Sequence, residues 1–307
     1  MMGLLANEWI KIFKRKATFI MIGITLLLVL GTAVALYFFD KPDTNSENGA
    51  WKETLTEENK EYTNEDIEFY KQTIAENQYR IDHNLPPSTT YNVWDFMTDA
   101  VGYISFVALF TIIIAAGIIA NEFSWGTIKL LLIRPISRVK ILLSKYITVL
   151  LFALFMISTL FVSSFLFGSI FFGFEGTQPY LAYVNGEIIE RNIIVQLLIE
   201  YGLESVGLLM FTTLAFMISA AFRNSSLAIG LAIFFLLSGN IITGIIGAYY
   251  DWAKYLIFAN INLSQYINGS SLIDGMTMTF SVIMLAIYFI IFMVIAFIAF
   301  VKRDVSA

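Results

Sequence analysis

Hydrophobic residues in this chain are gathered into long blocks rather than scattered at the spacings of soluble helices and strands. Six blocks reach the roughly 20 residues that a helix needs to cross a bilayer. They run approximately Ala17–Phe39, Ala100–Ala120, Ile141–Phe172, Leu197–Phe222, Leu227–Tyr249 and Phe280–Val301. The third is long enough to tilt or to project beyond the bilayer. Between the first two blocks lies the polar segment Asp40–Asp99. In it, Thr63-Asn64-Glu65-Asp66 has the spacing of a capping box, and Ile67, Tyr70, Ile74 and Ile81 recur at helical intervals until Pro86-Pro87. This predicts an amphipathic helix that either lies on the outer rim of the spans or forms a cap recognising a substrate or partner. The run LAYVNGEII, Leu181–Ile189, places Asn185-Gly186 between two β-prone stretches and predicts a small hairpin. Trp252–Gly275 is mixed and moderately apolar, as short helices dipping into the outer leaflet would be.

Charge orients these elements. Lys11, Lys14, Arg15 and Lys16 precede the first block, and Lys129, Arg134, Arg138, Lys140 and Lys145 separate the second from the third. Arg223 follows the fourth block, and Lys302 and Arg303 follow the sixth. The positive-inside rule makes all these regions cytoplasmic, and an even number of spans puts both termini there too. Asp40–Asp99, with fourteen Asp and Glu against five Lys and Arg, is then external, as is Tyr180–Arg191. The expectation is an all-α, multi-pass protein of the plasma membrane: one domain, residues 1–307, with 40–99 as an external loop. Ala33-Val34-Ala35 also resembles a signal-peptidase site. The apolar core runs on through Phe39, longer than the usual 7–15 residues, which favours an uncleaved span.

Composition agrees. The chain is 58% hydrophobic and 14% charged, against about 25% charged in soluble domains, and its mean hydropathy is +0.73. With no cysteine, disulfides, thiol chemistry and Cys-ligated metals are excluded. The absence of cysteine and of a eukaryotic sorting signal is compatible with a bacterial plasma membrane.

Catalytic chemistry is mostly excluded. His83 is the single histidine, beside Asn84 and near the two prolines, and reads as a surface residue without ligand companions. No HExxH, paired intramembrane Asp or Ser-base arrangement occurs in the blocks, and Gly-Lys never occurs, so no P-loop is present. No catalytic, metal or cofactor-binding residue is expected, nor nucleic acid. Glu200 and Glu204, one turn apart near the external end of the fourth block, are candidates for an ion relay or simply interfacial carboxylates. Ser164/Gly168, Ser226/Gly230 and Ala228/Ala232 are small-xxx-small pairs suited to close helix packing.

The most informative stretch is NEFSWGTIKLLLIRPISRVKILLSKY, Asn121–Tyr146. The second span ends near Ala120; Glu122 and Ser124 offer caps for a new helix, and Gly126 permits a sharp turn. Pro135 disfavours helix at Arg134, so that helix is about two turns long, and Ser137 can cap the next one. Ile128, Leu131 and Leu132 form one face, widened by Leu130 and Ile133. So much apolar surface must be covered, by lipid headgroups or by a groove on a protein partner.

The pattern E-x-x-x-G-T-[IL]-K-x-L-L-x-x-P-[IV]-S-R, Glu122 through Arg138, followed by Lys145, resembles the cytoplasmic signature of ATP-binding-cassette (ABC) exporter permeases of the ABC-2 type. LLANEWIKIFKRK, with Glu8, Lys11 and Arg15, resembles that family's amphipathic entry helix. MISAAFRNSSLAIG, Met217–Gly230, resembles its turn between the fourth and fifth spans. The resemblance implies a half-transporter that pairs with a second copy or a paralogue and docks a separate ATPase subunit, which binds the ATP and Mg. Ile128, Leu131 and Leu132 would plug the ATPase groove, and Lys129, Arg134 and Arg138 would meet its acidic rim. Gly126, Thr127, Pro135 and Ser137 would frame this coupling helix. Glu122 would cap or salt-bridge it, and Glu8, Trp9 and Phe13 would belong to the entry helix along the membrane surface. The long loop Asp40–Asp99 departs from compact permeases and resembles those of peptide-antibiotic resistance or sodium export. An antimicrobial peptide, a lipid-like molecule or sodium would be the cargo. The alternative is a secondary transporter or a non-transporting membrane sensor.

Overall fold

The structure is a computed structural model and describes residues 1–39, 51–65, 70–88, 90–127, 136–184, 186–267, 273 and 275–301. Six of its helices are long and apolar enough to cross a membrane. The chain opens with α1 (Met2–Phe13), turns within two residues, and enters the first long helix, α2 (Lys16–Phe39). Then come two polar helices, α3 (Trp51–Glu65) and α4 (Lys71–His83), packed against each other. The predicted amphipathic helix is thus present as α4, but its predicted cap is not. Thr63 lies inside α3, where its hydroxyl donates to Asn59 O at 2.6 Å.

The second span starts earlier than its hydropathy suggests. Asn92 accepts from Trp94 N–H at 2.9 Å while the Asp95 carboxylate accepts from Asn92 N–H at 3.0 Å, a reciprocal cap that starts α5 (Val93–Asp99). A 3₁₀ turn then leads into α6 (Ile104–Ser124). α6 does not end at Ala120. Glu122 and Ser124 belong to it, and Ser124 donates to Ala120 O at 3.1 Å; the short helix they were expected to cap lies outside the described residues. Gly126 has a φ of +69°, the left-handed turn expected of it.

Ser137 accepts from Lys140 N–H at 3.4 Å and caps α7 (Arg138–Phe171) as predicted. Its 34 residues span about 51 Å, well beyond the roughly 30 Å hydrocarbon layer. Strands β1 (Tyr180–Val184) and β2 (Glu187–Arg191) pair antiparallel, with Val184 opposite Glu187 closing the predicted hairpin. α8 (Ile193–Phe222) and α9 (Ser225–Gly247) follow. The link between them is Arg223, left-handed at φ 55°, and Asn224, which accepts from Leu227 N–H. Short helical turns over Asp251–Tyr255, α10 (Ile257–Ile261) and Leu263–Tyr266 precede α11 (Met278–Val301). These are the short helices expected between the last two spans.

α6 and α8 form the core. About 67% of each of their spans is buried, against 17% for α9 and α11. Apolar helices gain little from burial against one another in lipid, so close approach and buried hydrogen bonds hold them together. Ser219 donates to Ala116 O at 2.6 Å and accepts from Ala120 N–H at 3.2 Å. Thr212 donates to Thr111 at 3.1 Å, and Tyr146 and Thr213 share a bond of 2.8 Å. Two of the three small-residue pairs lie in such contacts. A Cβ on Gly168 would stand 3.0 Å from Val93 of α5, and Ala228 and Ala232 are fully buried. Ser226 and Gly230 instead face outward.

The bundle has two chemically distinct ends. At one, α4 rests on the hairpin, with Tyr79 donating to Glu190 at 3.5 Å, and Arg80 donates to Gln178, just before β1, at 3.1 Å. At the other, basic end lie α1, the end of α6, the start of α7, Arg223 and the end of α11.

Candidate functional site

The basic end is organised by four charged side chains from three elements. Lys145 stands two turns into α7 and is 0% exposed. Grouped by sequence with the loop cations, it is in fact among the most deeply buried residues of the chain. Its ammonium lies 2.9 Å from Glu8 Oε2 and 2.8 Å from Glu122 Oε1, and donates to Ile118 O at 3.2 Å. All three of its N–H donors therefore have an acceptor. Lys11 closes the group, 2.8 Å from Glu8 Oε1 and 3.0 Å from Glu122 Oε1. Glu8 and Glu122 are themselves only 4% and 7% exposed. Two cations balance two anions, which is the condition under which buried charges persist.

Local sequence delivers these groups. Glu8 and Lys11 are three residues apart on α1 and share its inner face. That face is anchored by Trp9 and Phe13, which pack on Phe155 of α7, with Phe13 also against Phe152. Glu122 is presented by the last turn of α6, beyond the point where hydropathy ended the second span. The cluster thereby ties α1 to both helices flanking segment 128–135.

Burial works against the Glu8 carboxylate, but the nearby ammonium groups of Lys145 and Lys11 outweigh it and hold its pKa below the ordinary 4.5. Lys11 likewise loses solvation, yet its bonds to Glu8 and Glu122 hold its pKa above the ordinary 10.5. A depressed carboxylate contributes stability above its unfolded pKa and loses it as pH falls through the folded one. Thermal unfolding in detergent from pH 7 downward should show the difference between wild type and Glu8→Gln intact above about pH 4.5. It should shrink at lower pH. A difference constant down to pH 3 would remove Glu8 as the titrating partner.

Further charged contacts surround the cluster. The Arg15 guanidinium sits 5.7 Å over the Trp125 ring, and that of Arg223 sits 4.3 Å over Phe123. Arg138 donates from Nη1 to Val301 O at 3.0 Å, at the end of α11. Of the other sequence-predicted residues, Thr127 donates to Glu122 O at 3.4 Å. Ile128, Lys129, Leu131, Leu132, Arg134 and Pro135 lie outside the described residues. Sequence reading named Glu8, Glu122 and Lys145 separately but did not join them. The available signal was a lysine inside an otherwise apolar helix, which demands a buried partner.

Glu200 and Glu204 have separate surroundings. Glu200 accepts from Gln196 at 2.7 Å, and Glu204 from Ser264 at 2.8 Å. Glu204 also lines a cavity of about 240 Å³ with Ser105, Asn240 and Asn262. His83 is exposed, stacked on Tyr79 and bonded to Tyr79 O at 3.0 Å.

Fold and site together define a multi-pass, all-α membrane protein whose basic end is fastened by a buried, charge-balanced cluster. The chain belongs to the family described as "Protein of unknown function (DUF2705)", whose model matches residues 67–306. It is 51% identical to "Uncharacterized protein YhcI" of Bacillus subtilis (strain 168) over 315 aligned positions, spanning both chains completely. It is 32% identical to "Uncharacterized membrane protein YdbK" of the same strain over 214 positions, 67% of this chain and 83% of that one. The family match takes in Glu122 and Lys145 but begins after α1, which supplies Glu8 and Lys11.

Proposed function

We propose that this protein is the permease subunit of an ABC exporter, with both termini and segment 128–135 cytoplasmic and a separate ATPase docking on that segment. The observation that carries the reading is the cluster of Glu8, Lys11, Glu122 and Lys145. It makes one mechanical unit of α1 and the two helices that enter and leave the signature run. A force applied to that run by a closing ATPase dimer reaches α6 and α7 together, and α6 passes it to α8 through Ser219 and Thr212. Coupling of this kind needs a packed element that moves as a body, which a charge-paired and hydrogen-bonded corner provides. The resemblance of Glu122–Arg138 to the ABC-2 signature supports the same reading, and since this chain carries no P-loop, ATP and Mg would be bound by the ATPase partner. Two permease copies, or this chain and a paralogue, would enclose the pathway for an antimicrobial peptide, a lipid-like molecule or another substrate.

The test is transport in vesicles. The isolated chain is expected to hydrolyse no ATP. Export should require ATP and co-expression of an ATPase encoded beside it. Export driven by an ion gradient without the ATPase would put the secondary transporter first.

A further inference from the structure

Beside the ion cluster, between α1 and the end of α6, opens a cavity of about 390 Å³. Its volume falls within the roughly 300–1,000 Å³ typical of small-molecule sites. Its inner wall is apolar, formed by Ile12, Ile114 and Ile118, and its rim carries Lys14, Arg15 and Trp125. Glu8 and Glu122 also border it, but their charges are balanced by Lys11 and Lys145. Lys14 and Arg15 therefore give the rim its net positive charge, and among the described residues neither forms an ion pair with a carboxylate.

The position of the rim relative to the apolar belt narrows the ligand. Lys14 and Arg15 lie in the turn just before α2, and Phe19 and Ile20, about one helical turn further on, are 61% and 60% exposed. Side chains that large and apolar, left uncovered on a spanning helix, face hydrocarbon. The rim is thus at the depth of the phosphate groups of a bilayer. Trp125, 65% exposed, is the residue type enriched at that depth. Arg15 is held in place, stacked at 5.7 Å over Trp125.

We propose that this groove binds one anionic phospholipid, its phosphate taken by Lys14 and Arg15 and its glycerol and upper acyl carbons lying on Ile114 and Ile118. Arginine forks onto phosphate oxygens in two parallel bonds, and lysine adds a point charge. A zwitterionic lipid would bring its own cation to a rim that is already basic. Basic pockets between spanning helices recognise anionic headgroups on the same physical grounds. The inference does not depend on the permease reading.

The experiment compares purified full-length protein, wild type and Lys14→Gln/Arg15→Gln, after incubation with micelles containing phosphatidylglycerol or phosphatidylcholine. Retained lipid is counted by native mass spectrometry. Wild type is expected to retain phosphatidylglycerol at least about tenfold over phosphatidylcholine, and the double variant to lose that preference, since two headgroup contacts are removed. Lys14→Gln alone, at an exposed position, should lose part of the preference while the unfolding temperature of the lipid-free protein stays unchanged. Equal retention of the two lipids by wild type, or undiminished preference in the double variant, overturns the proposal. So does inorganic phosphate that stabilises wild type against heat as strongly as phosphatidylglycerol, because the site would then be one for free anions.

Discussion

Replacing Lys145 with methionine is expected to give the largest loss of stability of any single substitution at the basic end. The change keeps the side chain's length and approximate volume while deleting the ammonium that meets Glu8 at 2.9 Å and Glu122 at 2.8 Å. Two buried carboxylates are then left to share Lys11 alone. Breaking a buried pair by removing one partner costs about 3–5 kcal/mol, because the remaining charge is uncompensated. For a folded unit of this size that corresponds to a fall in melting temperature on the order of 10 °C. The double variant Glu8→Gln/Lys145→Met tests the cause. It keeps the Lys11 to Glu122 pair at 3.0 Å and restores charge balance, so much of the loss should be recovered. Replacing a whole buried pair by neutral groups is often close to neutral. Unfolding followed by tryptophan fluorescence in one detergent suffices, since Trp9 packs beside the cluster. If the double variant is as unstable as the sum of the two single ones, the groups do not act as a unit.

Leu131→Glu is expected to have the largest effect on assembly, under the proposed permease function. If the apolar run Ile128–Ile133 docks in a protein groove, the substitution puts a charge into a desolvated contact, where an unpaired carboxylate costs several kcal/mol. Even a partial penalty of about 3 kcal/mol weakens binding by more than a hundredfold. Co-purification of the ATPase with wild type and variant, at matched membrane levels, reads this directly. A helix resting on lipid headgroups would instead leave the ATPase bound. Equal recovery therefore rejects docking through this face, while the lipid measurement at Lys14 and Arg15 stands apart from it.

The sequence by itself determined the class of protein and the number of its long helices. Six apolar blocks can be satisfied in lipid only as helices that bond their own backbone, and every block reappears within a few residues of its expected limits except the second, which starts at Val93 instead of Ala100. It also determined the local punctuation: the hairpin closed by Val184 opposite Glu187, the left-handed Gly126 and the cap at Ser137. These depend on backbone conformation over two to four residues, which nearby residue types control. The start of the second span was misjudged because Asp95, Thr98 and Asp99 lower the average hydropathy. In the fold Asp95 caps the helix and Asp99 accepts from Tyr91 at 2.5 Å, so polar residues extend the helix instead of ending it. Only the tertiary structure decided the fate of the charges. Lys145 and its partner Glu8 are 137 residues apart, so a lysine within an apolar helix signals that a buried partner is needed but not which carboxylates supply it. Hydropathy averages over every side of a helix. Burial depends on which side another helix covers, and that was settled by the packing of α1, α6 and α7 around one balanced set of charges.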